Sequence, residues 1–465
     1  MLTGNASGDS RLSLWLRVRE VAVPPHMIET ATARRIAGDW AGACAAAGFD
    51  VDLDLRTVAR VHGRDTASRL RADLRLMAPD LLRWHMPRTA PDGFLRPGTT
   101  AVLARYDEPG GARPVRLVAR TAPAWADAGQ RIGLAVWDGR VPPGREPRPR
   151  GYRAPDARFR LDLHRHLWDA SRSGELRERA GVSGSPAPGR WAESVPDPER
   201  FALGRWAFEA ALLLKAEDRA DGGQVAVRLG ARRRLLLDVG RHSPGTAGPE
   251  VRSARLARAG AGAGLPVLPH AATWTLPDLE LLRSGLLPAG RLHPLVASAL
   301  APGVPLSAPA VEGAELGGGA RQVDCRGALH RIGLVDGRLT PLDHDPAEIR
   351  REELLAALTG TPLPCLQAID SAHRRPDWLT DVRDRLAHGD TAGALALVGS
   401  ALGEQARLRD GELSDALQEA ARRGVRHGLF RAGLAAPAFA RKRLPARKPS
   451  RPESHPYRPR QAISR

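Results

Sequence analysis

Three cysteines and fourteen histidines are the most chemically capable residues in this 465-residue chain. Cys325, His330 and His344 fall close together, and Cys365 follows a helix-length later. Zinc needs thiolates and imidazoles converging on a tetrahedron, and structural sites usually supply them in pairs two to four residues apart. Cys325-x4-His330 is a loose pair, and no Cys-x2-Cys occurs anywhere. Cys325, His330 and His344 are therefore the candidate metal ligands, but their spacing predicts a buried cysteine and surface histidines near a turn, with no metal or cofactor held. His164-x-His166 is a closer pair without thiol partners. Leu342-Asp343-His344-Asp345 sets two carboxylates beside an imidazole, as acid–base chemistry or a metal would require. The simpler expectation is that Asp345 caps a helix and His344 is exposed.

Other catalytic signatures are missing. Gly181-Val182-Ser183-Gly184-Ser185 fails the Gly-x-Ser-x-Gly nucleophile turn by one place. Gly317-Gly318-Gly319 runs into Ala320-Arg321, without the Lys-Ser/Thr that a phosphate loop needs to hold phosphate and magnesium. No His-Glu-x-x-His and no dinucleotide glycine fingerprint appear. No catalytic residue is assigned. Residues 55–74, LRTVARVHGRDTASRLRADL, have the Ala59/Gly63 spacing of a helix-turn-helix and would aim Thr66, Ser68, Arg69 and Arg71 at a major groove. Arg64 stands where an apolar residue usually packs and Arg69 where a buried aliphatic is needed, so a helix pair within a bundle is the expected structure.

The elements that must position these residues alternate between helical and β patterning. Residues 24–86 read as a helical block, with Leu70, Leu74 and Met77 as one apolar stripe and Pro79 as a break. TTAVLARYD, ARPVRLVART and QRIGLAVWD read as a three-stranded antiparallel meander. FRLDLHRHLWDA reads as a helix. Asp197-Pro198-Glu199 reads as the N-cap, N1 and first turn of a helix whose inner face carries Leu203, Trp206, Ala210 and Leu213. QVAVRLG and RRRLLLDV form a hairpin, and so do HRIGLV and RLTPL around Asp336-Gly337. Asp345-Pro346-Ala347-Glu348 opens a helix ending at Gly360. The predicted class is α+β, multi-domain. A helical block with its meander spans 1–140, a linker 141–156, a mixed region 157–300, and a Pro/Ala/Gly linker 301–320. A hairpin and helical region spans 321–434, and a disordered basic tail 435–465.

One internal echo stands out. Gly38-Asp39-Trp40-Ala41-Gly42-Ala43 matches Gly389-Asp390-Thr391-Ala392-Gly393-Ala394; Arg35-Ile36-Ala37 precedes the first directly, and Arg385-Leu386-Ala387 the second with His388 between. Both read as αα corners, with glycine in the left-handed position and aspartate as the next N-cap. Two copies do not make a repeat array.

The formal charge is +18, but 67 of the 70 basic residues are arginine and only Lys215, Lys442 and Lys448 are lysine. Abundant Ala, Gly, Pro and Arg follow the codon bias of a GC-rich genome, so location says more than total. Residues 441–465 hold nine basic residues against Glu453, a net +8 that includes Arg441, Lys442, Arg443, Arg447, Lys448 and Arg451. Such a segment attracts polyanions by counterion release. Sparse, odd-numbered cysteines exclude a disulfide scaffold and fit a reducing cytoplasm. The charge-free stretches 259–277 and 294–311 are broken by prolines, so no membrane span is expected. The ten tryptophans are scattered, as core and interface packing would place them.

The stretches MIETATARRIAGDWAGACAAAG, PAWADAGQRIGLAVWDG, LHRIGLVDGRLTPLDHD and DPAEIRREELL give the chain a resemblance to uncharacterised proteins of high-GC bacteria. That resemblance implies no activity and no site residue. The functional expectation is a non-catalytic protein-interaction or regulatory protein. A nucleic-acid-binding protein using the tail and residues 55–74 is the alternative, and a hydrolytic or metal-dependent enzyme stands third.

Overall fold

The computed structural model describes residues 8–107, 113–126, 130–139, 153–182, 184, 188–240, 248–304, 321–336, 338–360, 362–404 and 406–434. The basic tail and most of the stretches 141–156 and 301–320 lie outside the described residues. The class is α+β, as the alternating patterning predicts.

The first core is built by α1 (Gly8–Arg17), a π-helical turn at Val18–Ala22, α2 (Pro25–Ile36), α3 (Trp40–Ala46), β1 (Phe49–Asp52), α4 (Leu55–His62), α5 (Arg64–Leu76) and α6 (Pro79–His85). These helices cover a sheet completed by β2 (Thr100–Tyr106), β3 (Val115–Thr121) and β4 (Ile132–Trp137), in the order β1-β4-β3-β2. The meander is present, but β1 pairs parallel to β4, with Phe49 opposite Ile132. Four residues of strand paired across such a sequence gap leave no local signal. Pro79 marks the expected break: α5 stops before it, and it is the first residue of α6, where its missing N–H does no harm. Trp15, Trp84, Leu70, Leu74, Leu103, Phe159 and Trp168 form the centre, joined by Leu281–Leu300 from later in the chain.

FRLDLHRHLWDA is not a helix. It forms three separate 3-10 turns, at Ala157–Phe159, Leu161–Leu163 and Arg165–Leu167. Phe159 and Leu161 are both buried, and residues two apart cannot share a helix face. After α7 (Leu176–Arg179), the helix expected at Asp197 begins only at Trp206. Asp197 takes a left-handed φ of 51°, and Pro198–Arg200 is a 3-10 turn. Phe201 instead bridges Trp274, with ring centroids 4.6 Å apart. The expected apolar face survives: Leu203, Trp206, Ala210 and Leu213 are buried.

α8 (Trp206–Ala216) covers an antiparallel sheet of β5 (Gly222–Arg228), β6 (Arg233–Gly240) and β7 (Glu250–Arg258). The hairpin is as expected. β7 was missed because its residues, EVRSARLAR, are mostly exposed and carry no apolar alternation. Short helices α9 (His270–Thr273), α10 (Pro277–Arg283) and α11 (Pro294–Leu300) return the chain to the first core. Among the described residues no helix is long and apolar enough to cross a membrane.

The C-terminal region starts with a sheet of β8 (Arg321–Cys325), β9 (Ala328–Val335) and β10 (Arg338–Pro341). α12 (Pro346–Thr359), α13 (Pro364–Arg374), α14 (Leu379–His388), α15 (Thr391–Leu402) and α16 (Glu412–Arg431) follow. The last helices dock on the first core. His427 Nε2 lies 2.8 Å from Asp50, His388 Nε2 lies 2.9 Å from the Asp92 carbonyl, and Trp125 meets Phe430 edge-on at 5.3 Å.

Both echo corners are αα corners. Gly38 and Gly389 have φ of 80° and 87°, and Asp39 and Asp390 accept from the N–H of Gly42 and Gly393 at 2.8 and 2.9 Å. A Cβ at Gly42 or Gly393 would fall 2.0 or 2.1 Å from the capping carboxylate, which explains glycine at both third positions. The second corner is the buried one: Asp390 also meets Arg385 and His26 at 2.9 Å each. Asp390→Ala should therefore cost more than the about 0.5–2 kcal/mol of a lost N-cap. Asp39→Ala, at an exposed corner, should stay within that range. Urea melts of both variants check this, and equal losses would contradict the buried role.

Candidate metal centre

The hairpin that begins the C-terminal region turns on Arg326 and Gly327, with φ of 58° and 83°, the pair of positive values a tight two-residue loop needs. Its register sets Val323 opposite His330 and Cys325 opposite Ala328. Directly paired residues share a sheet face, and so do residues two apart on one strand. Cys325 and His330 therefore emerge on the same side. Beyond β10 the chain runs back along β9: Leu342 N–H donates to the Arg331 carbonyl, and Asp343 accepts from the Arg331 N–H, both at 2.7 Å. That clamp places His344 beside His330. Asp345 then caps α12 through the Ala347 N–H at 3.0 Å, as expected. Pro364 opens α13, and Cys365 sits in its first turn, buried against the same sheet.

The ligand atoms of Cys325, His330, His344 and Cys365 all lie within 4.8 Å of one another. His330 Nδ1 and His344 Nε2 are 2.7 Å apart. Zn–S bonds of about 2.3 Å and Zn–N bonds of about 2.0 Å at tetrahedral angles put ligands about 3.3–3.8 Å from each other. The set fits with sub-ångström adjustment. His344 is not exposed: its side chain keeps only 4% of its surface, and its Nδ1 faces Glu348 Oε2 at 3.4 Å. A carboxylate on the far nitrogen holds a proton there and turns the other nitrogen's lone pair toward a metal, a common arrangement behind ligating histidines. The Cys365 thiol is pushed up to about 11 by burial and by the neighbouring Cys325. A metal would displace that proton. Two thiolates and two imidazoles with tetrahedral spacing match zinc better than the harder cations, which prefer oxygen ligands.

The hydrophobic cluster around this group is small: Cys325, Ile332, Leu363, Cys365 and Ile369, with Val323, Leu339, Leu366 and Ala368 at its edge. A core of that size rarely holds three short strands on a helix without a staple. Spacing failed to reveal the set because its members sit on a strand end, the next strand, a loop and a helix start. Only the hairpin register and the α13 docking unite them.

The other sequence candidates are dispersed. His164 and His166 are buried, and burial, aided by Arg179, drives both imidazoles well below their ordinary pKa. In the 55–74 segment Thr66 is buried, which corrects the expectation that it faces a groove; Ser68, Arg69 and Arg71 are exposed. Arg441, Lys442, Arg443, Arg447, Lys448 and Arg451 lie outside the described residues.

One polar cleft was missed altogether. Arg11, Trp15, His85, Arg200, His270, Trp274 and Glu280 line it. Burial lowers His270 to about 3 and raises Glu280 to about 7 despite its ion pair with Arg11. The space open to a water's centre is about 30 Å³, which holds about two waters at 10–15 Å³ each, too little for a substrate. The metal centre is the better-formed site. No family model, curated protein or solved structure matches the chain, so the reading of this centre rests on its own geometry.

Proposed function

We propose that Cys325, His330, His344 and Cys365 hold one zinc ion as a structural staple, and that the protein is a non-catalytic interaction or regulatory protein. The supporting observation is the convergence of four protein ligands within 4.8 Å. Four such ligands close a tetrahedral sphere, whereas catalytic zinc keeps one position for water or substrate. The metal's contribution would be to fasten β8–β10 to α13 and so to shape the surface around them. All three cysteines are free and buried, which supports a reducing compartment such as a bacterial cytoplasm. Elemental analysis of the full chain purified without chelator tests the reading. One zinc per chain is expected; substoichiometric metal after growth with added zinc would overturn it.

A further inference from the structure

We propose that the outward face of α4 and α5 binds the phosphate backbone of duplex DNA. α5 turns Thr66, Ala67, Leu70 and Leu74 inward. Arg64, Ser68, Arg71, Ala72 and Arg75 point outward, and all five are exposed. Their spacings of four, three, one and three residues put them on a single helical face. α4 extends the row with exposed Arg56 and Arg60 at i and i+4.

Many other arginines in the protein are ion-paired. Arg131 meets Asp50, Arg165 meets Asp73, Arg179 meets Glu209 and Arg331 meets Asp343, each within 2.8 Å. Among the described residues, the side chains of Arg64, Arg71 and Arg75 meet no carboxylate, Arg60 touches the Thr57 hydroxyl at 3.3 Å, and Arg56 lies beside Asp54, whose carboxylate accepts from its backbone N–H at 3.1 Å. Residues 55–76 contain six arginines and two aspartates, a net +4. One of those acids, Asp73, is taken up by Tyr106 and Arg165.

The occupant follows from shape and charge. Arg64 and Arg75 are eleven residues apart, about 16 Å along the helix axis. A duplex of that length carries about ten phosphates at one per 1.7 Å. A rigid row of cations suits a polymer of regularly spaced anions better than a single acidic side chain. The major groove of B-DNA, about 12 Å wide, admits a helix, whereas that of A-form RNA is too narrow. Contacts from the arginine guanidiniums and the Ser68 hydroxyl to phosphate oxygens carry no base information, so binding through them should be nearly sequence-blind. This surface names a partner for the interaction role above and is separable from the metal.

The test measures a labelled 20-bp duplex by anisotropy against full-length protein at 50–200 mM salt. The R64Q/R71Q/R75Q variant should weaken binding tenfold or more at 50 mM. It should also flatten the log K–log salt slope by about 2.7, from about 0.9 per lost contact. Its thermal melt and zinc content should match the parent, because exposed substitutions rarely unfold a protein. A second variant with Arg441, Lys442, Arg443, Arg447, Lys448 and Arg451 changed to Gln should still bind and still lose affinity when the α5 changes are added. Wild-type affinity and slope in the α5 variant would overturn the proposal, and so would binding to phosphatidylserine vesicles but not to duplex. Loss of DNA binding through the tail variant alone would also overturn it. Full-length protein that carries no zinc yet binds duplex would strike the metal reading and leave this one standing.

Discussion

A Cys365→Ser variant should lose its zinc and release the β8–β10 sheet, while Cys44→Ser, remote from the cluster, should keep one zinc per chain. The magnitude follows from the size of the local core. Five buried residues hold this sheet to α13, and two of them are the cysteines themselves. Structural zinc contributes about 10–16 kcal/mol of apparent binding free energy in small modules that are unfolded without it. Removing one thiolate should therefore cost the C-terminal sheet most of its protection, in a protein whose whole stability is of the order of 5–15 kcal/mol. Hydrogen exchange localises the effect. Amides of 321–341 should exchange freely in Cys365→Ser and in chelated wild type, while those of β2–β4 stay protected. His330→Ala and His344→Ala should behave alike. Glu348→Gln, behind His344, should only weaken metal affinity, by about 10–100-fold. Intact mass provides the decisive contrast. A native protein found 2 Da light with no zinc would mean a Cys325–Cys365 disulfide, and the staple would then be covalent rather than metallic.

Much of the fold was legible because its signals are local. The Asp336 turn, the Asp345 cap, the two Gly-Asp corners and the β2–β4 meander each need only a few neighbouring residues. What was not legible depends on distance along the chain. β1 exists because β4, some eighty residues on, offers it a parallel edge. The 3-10 run after Asp156 exists because Phe159, Leu161, Leu167 and Trp168 are all drawn into one core. The candidate metal centre is the sharpest instance. Cys325 and His330 were visible as a loose pair, and His344 as a residue beside two acids. Cys365 was visible a helix-length later, but only the docking of the first turn of α13 on the sheet brings it to the others. The arginine face shows the opposite case: residues 55–74 were legible as a helix pair, but the face differs from the expected one because Thr66 is turned inward.

Arg83→Met should destabilise the protein by about 3–5 kcal/mol, the cost of its orphaned carbonyl acceptors less the relief of an unfavourable buried charge, and loosen its C-terminal helices together. Arg83 is fully buried on α6, among the largest side chains with almost no surface. Among the described residues it meets no carboxylate. Its guanidinium donates instead to the carbonyls of Ala22 at 2.8 Å, Gln130 at 2.7 Å and His388 at 2.9 Å. Those acceptors come from the π-helical turn, the approach to β4 and the end of α14, so one planar donor group ties three parts of the chain. Burial, with Arg131 nearby, lowers its pKa to about 10, which leaves the charge in place at neutral pH. Burying that charge is itself unfavourable, and methionine would relieve this. It would also orphan the buried Ala22 and His388 carbonyls, at about 1–3 kcal/mol each, and the part-buried one of Gln130, and that second effect is the larger. Arg83→Lys should rescue little, since an ammonium on a flexible stem cannot span the guanidinium's fork. The specific signature is at the docking contact. His388 also reaches the Asp92 carbonyl and stacks near Phe94 at 4.6 Å, so its release should raise amide exchange through α14 and α15 before the first core opens. A uniform loss across the molecule, or a change within about 1 kcal/mol of wild type, would show that Arg83 does not anchor the C-terminal helices.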